Sequence, residues 1–392
     1  MRLFVSAGLI ILSTAACAFG DSVFDVEGIG RDIIPATGET RALAGAVSAS
    51  TDPLSSSIMS PCASAFADKV TIAAGFAHTS TISRNILEEK RTITTLFPSV
   101  LVIVPAGRVS VLSGLFAEKQ GRLTLGESGS YLNTMYDAQY RKESSIHSVP
   151  LMLSARMNPK LVVSAGVIFS FLDTRETTTI DFRSDEYSDT EDVSDLYGTG
   201  GNLAVALVLD AGKVQVGGLF RTGPEINGVL ERENRPSGLW SSEDIDISSR
   251  NSYSFGFRVK PTDMLWFEID YYRLPWSRLE FSGKPISDKT VDRYAVGMQY
   301  TGNYIWNASR YPLSAGYYRQ PLDWESDITG EIIEEVFSLG TSIPLADDRA
   351  RISIALEVGR RESKASSQLD ETTLGFSVSL SAVEAWRREI RR

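Results

Sequence analysis

The stretch from Ser252 to Tyr272, SYSFGFRVKPTDMLWFEIDYY, contains two runs in which apolar and polar residues alternate. The apolar members are Tyr253, Phe255, Phe257 and Val259 in the first run and Leu265, Phe267, Ile269 and Tyr271 in the second. Successive side chains point to opposite faces of a strand, so each run predicts a strand with one apolar and one polar face. The residues between them, 260–263, are typical of a turn, so the stretch predicts a β-hairpin. Each arm has about ten residues, enough to cross a bilayer when tilted.

The first residues of the chain predict export. Arg2 precedes a short apolar run, Leu3–Leu12, and small residues follow at the spacing of a cleavage site. We therefore predict a signal peptide over residues 1–20, while a lipoprotein signal through Cys17 stays open as an alternative. After cleavage Cys62 is the only cysteine, which excludes an intramolecular disulfide and favours a buried thiol.

The overall composition leaves two classes of protein open. The chain has 392 residues, a formal net charge of −10 and a mean hydropathy near zero. After the N-terminus it has no run of about twenty consecutive apolar residues of the kind that a spanning helix needs. It is therefore either two soluble domains or one large sheet structure. A transmembrane barrel escapes a search for apolar segments, because only every second residue of its strands is apolar.

The segment from Asp21 to Asp68 differs from the rest of the chain. It is rich in glycine, alanine, serine and threonine, and Pro35, Pro53 and Pro61 interrupt it. Small residues suit a segment that packs closely against other backbone. A disordered exported N-terminus is the alternative, but the apolar content of the segment disfavours it.

This segment contains a motif that resembles a known family. Residues 40–47, TRALAGAV, are followed by Asp52-Pro53 and then by residues 60–63, SPCA. The order resembles the N-terminal signature of the FadL/PorV superfamily of outer-membrane proteins, an R-x-x-G-M-G-G-A run, an acidic turn and an N-P-A-G motif. The chain departs from that signature, for example with Ser60 in place of the asparagine. The resemblance implies a plug inside a barrel, with candidate plug or gate residues Arg41, Gly45, Asp52, Pro53, Ser60 and Pro61.

From Lys69 onward, alternation recurs in about fourteen runs, an even number as expected for a bacterial barrel. Short turns are predicted near residues 105, 158, 211, 261, 302 and 347. Long polar loops are predicted near residues 83–91, 121–144, 173–198, 222–245, 274–289, 320–330 and 362–371. Short periplasmic turns and long outer loops are typical of outer-membrane barrels. We therefore predict an all-β fold, a transmembrane antiparallel barrel with an N-terminal plug in its lumen, over a secreted β-sandwich, whose strands also alternate.

Charged residues occupy the polar faces of the clearest strands. They are Arg221, Arg258, Glu268, Asp270, Arg293, Arg351 and Glu357. Because charges facing lipid are costly, we predict that these residues line the lumen. A solvated wall of compensating ion pairs is favoured over a specific ligand site. By the same logic, arginine should be tolerated better at Ser254 and Ser353 than at the apolar positions Phe255 and Leu356.

The sequence provides little support for catalysis or metal binding. It contains no P-loop, no H-E-x-x-H motif and no cysteine cluster. His78 and His147 are the only histidines, and serine is so abundant that a serine near either of them carries little weight. Seven carboxylates between Asp181 and Asp195 have oxygen ligands suited to Ca²⁺ but lack a calcium-loop spacing, so a solvated outer loop is favoured. We predict no enzyme, no cofactor, no metal and no nucleic-acid partner.

The predicted organisation is a signal peptide at 1–20, a plug at 21–68, a barrel at 69–381 and a basic periplasmic tail at 382–392. The predicted location is the bacterial outer membrane, with membrane lipid and the outer-membrane assembly machinery as partners. FadL-type members carry long-chain fatty acids and other hydrophobic compounds, so the resemblance implies transport of a hydrophobic, fatty-acid-like molecule. PorV-type members bind secreted or surface proteins, which is the alternative function. A general aqueous porin is disfavoured because a plug would obstruct flow.

Overall fold

The computed structural model describes residues 29–35, 37–84, 89–131, 134–184, 187–235, 237–276, 279–282, 284–285, 289–301, 311–326, 330–345, 349–363 and 370–384. The predicted signal peptide, the first eight residues of the predicted plug and residues 385–392 of the predicted tail lie outside this range. So do the short turns predicted near residues 302 and 347.

The described residues are almost entirely β-structure. Helix α1 is Gly38–Ala42, and two 3-10 helices are Pro53–Ser55 and Pro61–Phe66. The strands are β1 (Arg31–Asp32), β2 (Val70–Arg84), β3 (Glu89–Leu96), β4 (Ser99–Ala106), β5 (Val109–Tyr131), β6 (Thr134–Asn158), β7 (Leu161–Phe182), β8 (Thr190–Asp210), β9 (Val214–Arg221), β10 (Glu225–Arg235), β11 (Leu239–Ser248), β12 (Ser252–Thr262), β13 (Leu265–Arg273), β14 (Glu280–Phe281), β15 (Lys284–Pro285), β16 (Asp292–Tyr300), β17 (Leu313–Ser326), β18 (Gly330–Leu345), β19 (Ala350–Ser363) and β20 (Asp370–Glu384).

These strands form a closed antiparallel barrel of fourteen wall strands, as the sequence predicts. The wall strands β3–β4, β9–β10 and β11–β12 each consist of two consecutive elements separated by a short interruption. The barrel closes where β2 pairs with β20, from Val70 opposite Glu384 to Arg84 opposite Asp370. None of the helices in the described ranges is long and apolar enough to span a membrane.

The predicted hairpin is present, as β12 and β13. Gly256 pairs with Asp270 and Arg258 with Glu268, while Phe255 pairs with Tyr271 on the opposite face. The faces are as predicted, because Phe255 is 55% exposed on the outside whereas Arg258 is 5% exposed inside. Apolar side chains therefore cover the outer surface of the wall, where they contact lipid, and the polar side chains point into the enclosed lumen. The turn is one detail that differs: Thr262 pairs with Leu265 after a bulge, so the strand continues through the predicted turn.

The prediction that residues 121–144 and 173–198 form irregular polar loops is wrong, because most of these residues belong to paired strands. Strands β5 and β6 stay paired from Gly121 opposite Ser144 to Tyr131 opposite Thr134. Strands β7 and β8 stay paired up to Ile180 opposite Thr190. Beyond the membrane both faces of a strand are in water, so the ladder continues without the apolar alternation from which strands are predicted.

Cysteine labelling tests the predicted orientation. Cysteines introduced at Asp189 and Ser241, in the long hairpins, should react with an impermeant maleimide on intact cells. A cysteine at Ala211, in a short turn, should not react. The native Cys62 should not react with the maleimide, because its thiol is buried and burial raises its pKa to about 12. Equal labelling at all three introduced cysteines would contradict the topology.

Candidate functional site

The described part of residues 29–68, called the plug below, occupies the lumen of the barrel. From Thr37 to Ser50 every side chain is buried except that of Arg41, which is half-buried. Helix α1 ends in a tight reversal in which the Gly45 amide donates to the Thr40 carbonyl at 2.9 Å. Gly45 has a φ of 81°, a left-handed conformation that glycine adopts without strain. The predicted plug is therefore a folded segment packed against the wall, with no free tail in this range.

Three successive backbone amides of the plug donate to two carboxylates of β13. The amides of Val47 and Ser48 donate to Asp270 Oδ2 at 2.8 and 2.7 Å. The amide of Ala49 donates to Glu268 Oε1 at 2.7 Å. Both carboxylates are almost fully buried, so these amides satisfy acceptors that water does not reach. This contact fixes the middle of the plug to the wall.

The Glu268 carboxylate is balanced by a neighbouring cation. Arg258 Nη2 lies 2.5 Å from Glu268 Oε2. The Arg258 guanidinium also stacks over the Trp266 ring at 3.9 Å, and the Trp266 indole donates to Gln299. A buried carboxylate is tolerated when it is paired and hydrogen-bonded, so Arg258 supports the plug contact indirectly.

Ion pairs also connect the plug to β19. Arg351 Nη1 lies 2.6 Å from Glu39 Oε2 and 2.8 Å from Asp52 Oδ2, so it links two separate parts of the plug. The Arg41 guanidinium lies 2.5 Å from Glu357 Oε2. Both sides of this contact carry charges of both signs. The plug contributes the Arg41 cation and two carboxylates, and β19 contributes Arg351 and Glu357. Because a shift of the plug along β19 would place like charges opposite each other, these ion pairs fix the position of the plug along this strand.

Glycines of the wall allow the plug backbone to approach closely. They are Gly217, Gly256, Gly297, Gly316 and Gly340. A Cβ atom at Gly217 would lie 2.0 Å from the Ser48 carbonyl oxygen, and one at Gly316 would lie 2.4 Å from the Leu43 carbonyl carbon. Both distances are shorter than any van der Waals contact, so only glycine fits at these two positions.

The second half of the plug is built on two prolines. Pro53 begins the first 3-10 helix, and the preceding Asp52 side chain caps it by accepting from the Leu54 amide at 3.0 Å. Pro61 begins the second 3-10 helix, after Ser60, which is 2% exposed. This helix carries Cys62, whose thiol faces the Val162 carbonyl at 3.9 Å. The predicted buried thiol is confirmed.

A β-bulge in β5 places two charges inside the barrel. The register shifts between Ala117 and Lys119, so Glu118 and Lys119 both point into the lumen. Glu118 Oε1 pairs with Arg221 at 2.8 Å, and the Trp276 indole donates to Glu118. Above this pair lies an apolar cluster formed by Ile29, Ile146, Leu172, Leu196, Ile226, Ile245, Ile247, Trp276 and Leu279.

A cavity of about 50 Å³ lies between the plug and the wall. Its apolar lining comes from Ile33, Pro35, Ile58, Met59, Leu219 and Leu274, and Arg221 and Arg293 also reach it. Arg293 is 1% exposed. Within the described part of the chain its direct partners are neutral: Nε donates to Gln320 at 2.6 Å, and the guanidinium lies over the Tyr318 ring at 4.9 Å. The cavity thus combines apolar side chains with the buried cations Arg221 and Arg293, and the carboxylates of Asp32 and Glu118 also line it.

The wall is interrupted beside this cavity. Strand β4 pairs with β5 up to Ser99 opposite Phe116, whereas β3 pairs with β2 and with no other strand of the described residues. The plug strand β1 takes the vacant place, with Arg31 opposite Gln120 and Asp32 opposite Lys119. Asp32 and Ile33 line the inner cavity. A groove of about 580 Å³ on the outer face is lined by Leu96, Phe97 and Leu115 beside the interruption, and otherwise mainly by polar and charged residues such as Glu143 and Asp173. Strand β1 therefore separates the outer groove from the inner cavity.

The predicted site residues are brought together only in part. Arg41, Gly45, Asp52, Pro53, Ser60 and Pro61 belong to the plug, and Arg258, Glu268, Asp270, Arg351 and Glu357 face it from the wall. Arg221 and Arg293 lie higher, at the cavity. The expected solvation of this wall is wrong, because six of these seven charges are buried and Arg351 is half-buried, whereas the expected compensating ion pairs are present. Water is excluded since the plug fills the space, while the functional roles of these residues stay predictions.

Sequence reasoning missed several members of this network. Glu39 lies just before the quoted motif, and Glu118 is at a bulge that breaks the alternation. Arg361 pairs with Glu334 and with Glu371, at 2.8 and 2.7 Å. Glu371 was assigned to a loop because its surroundings are polar. Such residues could have been predicted from sequence only by looking for opposite charges at the same height on neighbouring strands.

Solved structures with the same architecture are known. The chain is similar to the Pseudomonas putida toluene transporter TodX, with a TM-score of 0.60, 16% identity, and coverage of 91% of this chain and 100% of that one. A FadL homologue from Pseudomonas aeruginosa gives a TM-score of 0.61 at 12% identity, covering 90% and 99%. The CymD monoaromatic hydrocarbon channel gives 0.58 at 14% identity, covering 91% and 98%. No family model and no curated protein matches the sequence.

At these identities the likeness defines the fold. The chain has the fourteen-strand barrel fold of these structures, which confirms the fold that the N-terminal motif implies. The predicted outer-membrane location agrees with that fold.

Proposed function

We propose that this protein carries hydrophobic small molecules across the outer membrane, with the plug as its gate. The observation that carries the proposal is the apolar cavity between plug and wall, next to the interruption that β1 fills. The similar solved structures are described as hydrocarbon channels and a toluene transporter, which supports the same general role. A lipid-soluble molecule that reaches the outer groove would then enter beside β1.

The size of the cavity requires the gate to move. An engineered apolar cavity of about 150 Å³ holds benzene. The cavity here measures about 50 Å³, so the described state is closed to an organic ligand. Parts of the plug are held in different ways. Residues 47–49 donate to two buried carboxylates, whereas β1 is a two-residue strand on the edge of β5 that is also joined to it by the ion pair of Asp32 with Lys119 at 3.7 Å. We propose that β1 and the irregular turns at Asp52-Pro53 and Ser60-Pro61 shift while residues 47–49 stay in place.

The cation at the cavity supports a fatty-acid-like ligand. Arg293 is buried, and its direct partners in the described residues are the neutral Gln320 and Tyr318. A carboxylate entering the cavity would form a charge-assisted, bidentate pair with such a guanidinium. The apolar chain of the ligand would contact Ile58 and Met59 of the plug. A ligand with one carboxylate and a long apolar part therefore fits the lining.

Replacing Arg293 with glutamine tests this assignment. R293Q should lower uptake of a labelled long-chain fatty acid by about 10- to 150-fold, because one charge-assisted pair is worth about 1.5–3 kcal/mol. Uptake of the corresponding alcohol should be unchanged, since it needs no cation. The measurement is uptake by cells with matched amounts of folded barrel, judged from mobility before and after boiling. A parallel loss of both substrates, or no loss of either, would contradict the role of Arg293.

A further inference from the structure

The lumen that surrounds the plug has two chemically different halves. Strands β12–β19 contribute buried charged side chains, for example Asp270, Glu334 and Glu357. Strands β4–β8 contribute buried apolar side chains instead: Leu101, Ile103, Leu112, Met152, Val162 and Val208. On these strands, in the described residues between the bulge at Glu118 and the short turns, none of the buried side chains is charged. We call the two surfaces the charged half and the apolar half of the lumen.

The plug is divided between these two halves. Helix α1 packs mainly on β18 and β19, and residues 47–49 donate to β13. The second 3-10 helix, Pro61–Phe66, contacts β4–β8 instead. The plug therefore has a first part, residues 37–52, on the charged half and a second part, residues 58–67, on the apolar half.

The contacts that hold the two parts differ in kind. Ion pairs hold the first part, such as Arg41 with Glu357 at 2.5 Å. Apart from a bond from Arg156 at its end, neutral groups hold the second part: the Ser154 hydroxyl lies 2.9 Å from the Ser64 hydroxyl and 3.1 Å from the Pro61 carbonyl oxygen. Separating a buried ion pair leaves two uncompensated charges, whereas separating neutral groups costs less. The second part therefore leaves its wall more easily than the first.

A continuous apolar surface leads from the cavity to the short-turn end of the barrel. Ile58 and Met59 line the cavity and pack in one cluster with Leu112 and Met152. Leu219 joins this cluster to the next one, which consists of Cys62, Val162, Ala206 and Val208. Phe66 packs against that second cluster and is half-buried at the end of the plug, with the Arg156 guanidinium 4.4 Å from its ring centre.

We propose that a hydrophobic ligand leaves the cavity along the apolar half of the lumen, between β4–β8 and the second part of the plug, and emerges beside Phe66 and Arg156. This inference rests on the transport function proposed above. The ligand would replace the side chains of Ile58, Met59 and Phe66 against the same wall, so little apolar surface would be exposed to water as the plug shifts. On the charged half, an apolar ligand would separate ion pairs and offer no charge in exchange.

Two engineered disulfides test which part of the plug has to move. Ser64→Cys with Ser154→Cys locks the second part, and Ser48→Cys with Ser254→Cys locks the first part. The serine hydroxyls of these pairs are 2.9 and 3.3 Å apart, so small rotations bring the two sulfur atoms to the bond length of about 2.05 Å. Both pairs are made in a Cys62→Ser parent, so that the native thiol does not compete.

The measurement is uptake of a labelled long-chain fatty acid by cells, before and after addition of a reductant. The oxidised Ser64–Ser154 variant should show about tenfold less uptake than the parent, or lower still, because the route stays closed, and the reductant should restore uptake. The oxidised Ser48–Ser254 variant should stay within about twofold of the parent, since the first part does not need to move. Mass spectrometry of the linked peptides verifies each disulfide, and mobility before and after boiling verifies folding.

A second lock of the same part makes the result independent of one disulfide. The native Cys62 thiol lies 3.9 Å from the Val162 carbonyl oxygen, so Val162→Cys in the wild type should form a disulfide with it and also block uptake reversibly. Full uptake with the second part locked, or equal loss with either part locked, would overturn the route while the parent remains active. Uptake by the parent no higher than that of cells without the barrel would overturn the proposed function, and this inference with it.

Discussion

Phe255→Arg should remove most of the folded barrel from the outer membrane. Phe255 lies on the outward face of β12 and is 55% exposed, in the apolar band formed with Tyr253 and Phe257. Arginine on a lipid-facing position of a barrel costs about 2–4 kcal/mol near the midplane. Such a loss is a large share of the typical stability of a protein. Leu356→Arg, at an equivalent position on β19, should have the same effect.

The measurement is the fraction of protein whose electrophoretic mobility changes on boiling. Thr177→Arg is the matched control, because Thr177 lies on the outward face of β7 in the polar extension beyond Asp173 and Arg175. Arginine there stays hydrated, so the folded fraction should equal that of the wild type. If Thr177→Arg impaired assembly as strongly as Phe255→Arg, the apolar band would not be the lipid-facing surface.

The composition of the polar face predicts that arginine is tolerated at Ser254 and Ser353, but both side chains are buried in the structure. Ser254 is 6% exposed, and its hydroxyl lies 3.3 Å from the hydroxyl of Ser48 in the plug. Ser353 is 2% exposed and contacts the Ser342 hydroxyl at 2.8 Å. Arginine at either position would displace neighbouring atoms, so we now expect Ser254→Arg and Ser353→Arg to impair assembly as well. The reason is that the plug, rather than water, occupies this part of the lumen.

The wall could be predicted because its signal is local. The alternation of apolar and polar residues at 253–259 and 265–271 predicts both the strands and the face that meets lipid. The polarity of each residue matches the face on which it lies, so no distant contact has to be known. The number of wall strands follows from counting such runs. The extensions of β5–β8 beyond the membrane were missed, because in water the ladder imposes no apolar period on the sequence.

The interior of the barrel depends on contacts between residues far apart in the chain. The Val47 amide and Asp270 are 223 residues apart, and the short motif around residues 40–47 does not indicate which carboxylate receives it. The bulge at Glu118 and the strand β1 are equally invisible, because each depends on a register that is set elsewhere. Sequence therefore identified the plug and the charges of the wall, whereas their pairing required the assembled barrel.

Gly217→Val should displace the plug from the wall. A Cβ at this position would lie 2.0 Å from the Ser48 carbonyl oxygen and 2.7 Å from the Ala49 Cα, and backbone atoms have no rotamer by which to move aside. Overpacking of this kind costs about 1–3 kcal/mol, which shifts the ratio of displaced to seated plug by about 5- to 150-fold. The same movement would weaken the bonds from residues 47–49 to Asp270 and Glu268.

Two measurements report the displacement. Cys62, which is 1% exposed and belongs to the plug, should become reactive toward a small maleimide in the folded variant. Cells that carry the variant should also become more sensitive to a hydrophobic antibiotic that the outer membrane excludes. Gly218→Val is the matched control: the next residue faces outward, and its Cβ would meet only the Ser254 carbonyl at 3.2 Å, which a small shift relieves. Valine at that position also suits a strand, so the control should assemble normally and keep Cys62 protected. If both variants exposed Cys62 equally, the effect would come from the strand β9 itself, and the close contact between Gly217 and Ser48 would not be what holds the plug in place.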